Sequence, residues 1–162
     1  MDENGFTEWV AGHQRQLLRS AYLLTGDLHR AQDLVQEALV KVALRWSRLH
    51  DGDPTAYART IIVRDNISWW RRHRDVPSSE RADVASASSD PETALVVQRS
   101  LARLAPRQRA VLVLRHFDDL TERETAEVLG VTVGTVKSTN AAALARLREG
   151  APELLDLIGE SR

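Results

Sequence analysis

Cysteine is absent from the 162 residues, which removes disulfide frameworks, thiolate zinc sites, iron–sulfur clusters and a cysteine nucleophile together. Long apolar runs are absent as well. The longest aliphatic stretch, Ala110-Val111-Leu112-Val113-Leu114, is five residues and cannot span a bilayer, so no membrane insertion is expected. The first residues lack the positive charge of a signal peptide, with Asp2 and Glu3 standing in its place, and a cytoplasmic protein is the expectation. Neither a phosphate-binding glycine loop, nor a nucleophile elbow, nor a metal carboxylate cluster is visible. The five histidines (His13, His29, His50, His73 and His116) are scattered, with no ligand pair at helical spacing. Neither catalytic residues, a metal nor a cofactor are therefore expected. Lysine is scarce, only Lys41 and Lys137 beside 20 arginines, a bias that GC-rich coding explains as well as any function does.

What remains is a chain that can bury a core: 43% of its residues are hydrophobic and 28% charged, which excludes wholesale disorder. The formal net charge of −1 hides segregation. Residues 41–75 carry +4 and residues 99–115 carry +5, whereas residues 116–130 carry −4. Basic patches suit nucleic acid; the acidic one would repel it and suits a protein partner or merely solvates a helix face.

Apolar spacings of three and four recur almost throughout, period-2 alternation is missing, and no internal repeat is present. The expected fold is all-α, two small helical domains joined by a flexible linker. Residues 75–91, rich in Ser and poor in large apolar side chains, cannot offset their own ordering entropy. The expected division is therefore 1–75, a linker 76–91, and 92–162. In the first part, Phe6, Trp9, Val10, Leu17, Leu18, Tyr22 and Leu23 mark one helix, ended by Thr25-Gly26-Asp27, which offers an N-cap for the next. A second run, about 28–46, buries Leu34, Val35, Ala38, Leu39, Val42 and Trp46, and a loop Ser47–Asp53 follows. Asp53-Pro54 opens the next helix, because an N-cap acceptor followed by proline uses a position where no donor is needed. After the linker Asp90-Pro91 repeats that signal, and helices are expected over 92–104, 106–116 and about 133–149, the last burying Val133, Val136, Leu144 and Leu147.

Thr121-Glu122-Arg123-Glu124 fits the capping box that opens a short helix ending at Gly130. Ala126, Gly130 and Val136 then fall at the spacing of a helix-turn-helix: a small residue where two helices cross, a residue tolerant of positive φ at the turn, and an apolar plug. The outward positions Thr132, Thr135, Lys137, Ser138 and Thr139 are free to enter a major groove, although a hairpin of an ordinary bundle mimics the same pattern. In Ser68-Trp69-Trp70-Arg71-Arg72-His73-Arg74, the arginines could track phosphates and a tryptophan could stack on an unpaired base. Equally, both tryptophans could be core. Adjacent helical residues point about 100° apart, so one tryptophan is expected inside and the other near the surface.

Together these stretches resemble an extracytoplasmic-function (ECF) sigma factor, the minimal two-domain class of bacterial RNA polymerase specificity subunits. Residues 31–42 are similar to the region 2 helix that docks on the polymerase clamp, residues 56–74 to the promoter-melting and −10 helix, and residues 104–138 to region 4, which reads the −35 element. The Ser-Trp-Trp-Arg-Arg variant is similar to one actinobacterial-type subgroup. The resemblance implies a subunit that binds core RNA polymerase through clamp and flap and directs promoter recognition and melting. Asp33, Gln36 and Glu37, which share one helix face, would meet the clamp. Trp69, Trp70, Arg71, Arg72 and Arg74 would hold the −10 strand, with the loop Ser47–Asp53 capturing a flipped base. Thr132, Thr135, Lys137, Ser138 and Thr139 would contact the −35 DNA, and an anti-sigma factor is an implied partner. Linker acids Glu80, Asp83, Asp90 and Glu92 would suit the basic RNA-exit channel, and the short C-terminal segment, with residues 149–162 at net −3, offers no inhibitory extension. Two departures stand out: Lys137 is the sole base in 137–143, where relatives carry more arginines, and Arg64 stands where asparagine is frequent. A stand-alone helix-turn-helix regulator is the rival reading, and it would leave residues 1–75 as a sensor or dimerisation domain.

Overall fold

The computed structural model describes residues 2–73 and 90–159. Arg74 and most of the serine-rich segment, Glu80 and Asp83 included, lie outside the described residues. The chain divides into two units, Met1–Arg74 and Asp75–Arg162. Among the described residues regular structure is helical throughout, with no strand.

The first unit packs three long helices around one core: α1 (Glu3–Thr25), α2 (Leu28–Leu44) and α4 (Pro54–Arg72), with a single turn, α3 (Trp46–Leu49), between the last two. The chain's own caps set these boundaries. Gly26 ends α1 at φ 71° with its N–H on Tyr22 O at 2.8 Å, a left-handed conformation that costs a residue with Cβ about 1–2 kcal/mol. Asp27 and Asp53 accept from the N–H of Arg30 and Ala56 at 3.2 and 2.9 Å, satisfying the donors left over at the starts of α2 and α4. Leu17, Ala21, Leu24, Ala31, Val35, Ala38, Val42, Ala58, Ile62 and Val63 close the core. Trp9 and Trp46 extend it, Trp9 donating from Nε1 to Thr55 Oγ1 at 3.1 Å.

Two expectations are corrected here. The second helix stops at Leu44, capped by Arg45, rather than at residue 46, so Trp46 begins α3 and the loop expected over Ser47–Asp53 is a helical turn as far as Leu49. Trp46 is the physical reason: as a buried side chain against Phe6 and Trp9 it holds the turn that follows. Of the residues that mark the first helix, Trp9, Leu17 and Leu23 are buried, and Phe6, Val10, Leu18 and Tyr22 are half-buried.

The second unit comprises α5 (Pro91–Leu101), α6 (Pro106–Leu112), α7 (Glu122–Leu129), α8 (Val133–Gly150) and α9 (Pro152–Ile158). The helix expected over 92–104 ends at Leu101; Leu104 stays buried in the turn that follows. The helix expected over 106–116 is α6 continued by a π turn, Val113–Phe117, in which the Asp118 N–H reaches Val113 O at 3.0 Å. Asp119 just beyond takes φ 54°, a conformation aspartate tolerates better than most residues. Val133, expected buried, is 37% exposed: as the first residue of α8 it stands one turn before Val136, where the helix meets the core. α9 packs on α8 and α5 through Leu154 and Leu155.

Candidate polymerase and nucleic-acid interfaces

The helix-turn-helix is built as its spacing requires. Thr121 Oγ1 accepts from the Glu124 N–H at 3.1 Å, and Glu124 Oε2 accepts from the Thr121 N–H at 2.7 Å. At the far end of α7, Gly130 takes φ 66°, its N–H bonds Glu127 O at 3.3 Å, and the Val131 N–H bonds Ala126 O at 3.1 Å. That pair of bonds is a Schellman motif, which stops the helix and redirects the chain. Ala126 and Val136 meet over Val111 in one buried cluster, with Leu129 and Val131 packed at its side. Thr132 then caps α8, accepting from the Thr135 N–H at 3.1 Å.

Thr132, Thr135, Lys137 and Ser138 are exposed, as the outward face requires, whereas Thr139 is half-buried and only partly presented. Much of the hydroxyl chemistry on this face is already engaged: Thr132 and Thr135 Oγ1 lie 3.0 Å apart, and Ser138 Oγ donates to Thr135 O at 3.1 Å. Lys137 is therefore the charged group of the face. His116, at the end of the π turn, donates from Nε2 to Asn140 Oδ1 at 3.2 Å and ties the middle of α8 to the preceding segment.

Asp33, Gln36 and Glu37 are all exposed on α2. The structure adds two residues to that face. Val40 is 56% and Leu44 81% exposed, and the spacing 33–37–40–44 lines them up behind the two carboxylates. An isolated exposed leucine means little; two large aliphatics in line with a polar stripe form an unpartnered apolar strip. The core pattern of α2 (Leu34, Val35, Ala38, Leu39, Val42) had drawn attention to the opposite face, although the off-pattern Val40 and Leu44 were the available signal.

At the C-terminal end of α4, Trp69 and Trp70 stand 5.1 Å apart, edge to face at 89°. The expectation of one inside and one outside is corrected: both are half-buried. The cause is distant in sequence. Arg30 of α2 lays its guanidinium over Trp69, 3.5 Å from the ring centroid, and donates to Asn66 Oδ1, while Asn66 Nδ2 donates to Leu24 O at 3.4 Å. Burial pulls the Arg30 pKa down to about 10, opposed by Asp27, so the group stays cationic near neutral pH and favours the ring face. Trp70 Nε1 is buried without a hydrogen-bond partner among the described residues. Arg71 and Arg72 are exposed, and they carry the positive charge of this helix end. Arg30 escaped sequence reasoning because its partners lie 36 or more positions away, and no local pattern marks it.

Among the described residues no group of three or more His, Cys, Asp or Glu is placed to hold a metal, and no helix is long and apolar enough to cross a membrane.

Comparison with known proteins places these features. Residues 9–76 match the Sigma-70 region 2 family and residues 94–147 the Sigma-70, region 4 family. The chain is 43% identical over 152 residues to the RNA polymerase sigma-E factor of Streptomyces avermitilis, covering 89% of this chain and 83% of that protein. It is 34% identical over 150 residues to the ECF RNA polymerase sigma factor SigM of Mycobacterium tuberculosis, covering 90% and 76% respectively. Among solved structures it is similar to CnrH in complex with the cytosolic domain of CnrY, with a TM-score of 0.64 at 26% identity over 94% of this chain and 88% of the other. It also shares the fold of the sigma factor RpoE in complex with the anti-sigma factor NepR from Bartonella quintana, with a TM-score of 0.73 at 24% identity over 89% and 94%. A region 2 bundle, a region 4 helix-turn-helix and relatives of this closeness along nearly its whole length make the chain a member of the ECF family of RNA polymerase sigma factors.

Proposed function

We propose that the chain binds core RNA polymerase and directs promoter recognition and melting, with three surfaces dividing the work. The α2 strip of Asp33, Gln36, Glu37, Val40 and Leu44 meets the polymerase clamp. Trp69, Trp70, Arg71, Arg72 and Arg74 hold the opened −10 strand. Thr132, Thr135, Lys137, Ser138 and Thr139 face the −35 duplex. The division of labour follows residues 1–75 and 92–162, joined by the linker 76–91.

The observation that carries this reading is the unpartnered apolar strip on α2, with Leu44 81% exposed behind a row of carboxylates. A regulator that dimerised through residues 1–75 would bury it on a second copy, whereas a polymerase subunit buries it on a larger partner, and the match of residues 9–76 to Sigma-70 region 2 favours the latter. The chain makes and breaks no covalent bond in this role. It supplies binding energy, phosphate contacts fixing its register and base-edge contacts its specificity. With Lys137 as the charged group of the recognition face, few counterions are released at −35, so that contact is weak outside the assembled complex. An anti-sigma factor covering the polymerase-facing strip is the expected regulator, and the protein works in the cytoplasm without enzymatic activity.

The test is transcription itself. Core RNA polymerase mixed with the purified chain initiates at defined genomic promoters, and the chain alone binds duplex DNA poorly. Tight sequence-specific duplex binding by the free chain, without initiation on addition of core enzyme, favours the regulator instead. The Asp33→Ala/Glu37→Ala variant lowers affinity for core enzyme; unchanged affinity refutes the clamp assignment.

A further inference from the structure

Trp69 is covered on both of its faces. The Arg30 guanidinium lies 3.5 Å from the ring centroid, and the His73 imidazole stacks on the indole at 4.2 Å with only 12° between the planes. Asn66, which receives the Arg30 hydrogen bond, stands one turn before Trp69, and His73 stands one turn after it. The two groups therefore approach the indole from opposite sides. Neither is loosely placed. Arg30 is held by Asn66, and the His73 Nδ1–H donates to Trp69 O at 2.8 Å, a bond that fixes both the ring plane and the proton position.

A nucleobase needs an open aromatic face, and Trp69 does not offer one. Among the described residues the only ring that His73 stacks on is Trp69, so the opposite face of the imidazole is the end of a three-layer column, guanidinium, indole, imidazole. From this we infer that His73 is the platform on which an unpaired base of the −10 strand stacks, and that Trp69, assigned above to that strand, serves it with Arg30 by positioning the platform rather than by taking the base itself. This rests on the assignment of the α4 end to the −10 strand. The chemistry suits the place. The column begins with a cation, and the exposed Arg71 and Arg72 lie two residues and one residue before His73, within reach of the flanking phosphates. With Nδ1–H committed to Trp69 O, Nε2 is the ring nitrogen left at the edge for a polar contact.

The same hydrogen bond recurs at Trp9/His13 and Trp46/His50, where each histidine Nδ1 donates to the carbonyl four residues earlier at 2.8 and 2.9 Å, but the rings there lie farther apart, at 5.5 and 6.2 Å. In those two pairs the tryptophan is buried in the core of the unit. His50 likewise ends a helix beside exposed Arg45 and Arg48, so what sets the third pair apart is its tryptophan, half-buried at the surface and under Arg30 rather than in the core.

The experiment uses holoenzyme, formed from core polymerase and the full chain, on a fork-junction template of a mapped promoter whose non-template strand is unpaired through the −10 element. The strand carries 2-aminopurine at each position in turn. One position is quenched on binding. His73→Ala abolishes that quenching and weakens fork binding by roughly five- to hundredfold, the range of losing one base–aromatic stack. His73→Phe restores both, because it keeps the face and loses only the nitrogens. Trp69→Ala reproduces the His73→Ala loss by removing what backs the ring. Undiminished or tighter binding by His73→Ala overturns the proposal, tighter binding meaning that Trp69 itself takes the base once uncovered. Failure of His73→Phe to restore the quenching also overturns it. The Arg71→Ala/Arg72→Ala variant separates this from the reading beneath it. If that variant loses fork binding while His73→Ala does not, only the platform falls; if neither loses binding, the −10 assignment itself falls.

Discussion

Replacing Val40 and Leu44 together by alanine separates the folding of region 2 from its use as a docking surface. Leu44 is 81% exposed and Val40 56%, so neither contributes much to the core, and alanine is at least as good a helix former at both positions. Exposed substitutions of this kind stay within about 0.5 kcal/mol of the parent stability. On the polymerase, the account changes. Full burial of an aliphatic side chain of this size is worth about 1.5–3 kcal/mol. With most of Leu44 and over half of Val40 still to be covered, the strip should supply about 2 kcal/mol and about 1 kcal/mol respectively. The double variant should therefore bind core RNA polymerase on the order of a hundredfold more weakly at constant salt. A titration of amino-terminally labelled chain with core enzyme, read by fluorescence anisotropy, measures the loss, and a thermal melt of the free chain checks that the fold is unchanged. Core affinity within threefold of the parent, with an unchanged melt, refutes the assignment of this strip. So does an affinity loss accompanied by an equal loss of stability, which would place the two side chains in the fold after all.

Three further outcomes follow from the second unit. Thr121→Ala removes one half of the reciprocal cap on α7 and should cost about 0.5–2 kcal/mol, read as a lower denaturation midpoint of the region 4 transition with the slope retained. Gly130→Ala forces a Cβ into φ 66° and should destabilise the turn by about 1–2 kcal/mol, with −35 binding by the holoenzyme falling alongside. Lys137→Ala should weaken −35 binding similarly on all sequences and flatten the salt dependence by about one unit of log–log slope if it contacts a phosphate, whereas an effect confined to one base position would show that it reads an edge.

How much of this was legible in the sequence depended on how far apart the interacting residues are. The helix-turn-helix could be read because its chemistry is local: Thr121 with Glu124, Gly130 with Glu127 and Ala126, Thr132 with Thr135. The caps at Asp27, Asp53 and Asp90 were legible for the same reason. The turn at Trp46–Leu49 was not, because it is held by Phe6 and Trp9 from the other end of the unit. Nor was the shared half-burial of Trp69 and Trp70, which depends on Arg30. Val40 and Leu44 were visible as residues but silent in meaning until the packing showed them left outside.

The π turn at Val113–Phe117 carries a consequence for descent and redesign. A ring closed over five residues holds one more residue than an ordinary helical step, so it marks a place where the chain carries a surplus member. Excising a single residue there would let α6 run on in normal register and swing everything beyond it by about 100°. His116 would then leave Asn140, and the acidic corner at Asp118 and Asp119 would face another way. Val111 lies before the turn and Ala126 and Val136 lie after it, so such a swing would also pull apart the cluster that seats α8; the surplus member is what lets α6 and the two helices beyond it share one core.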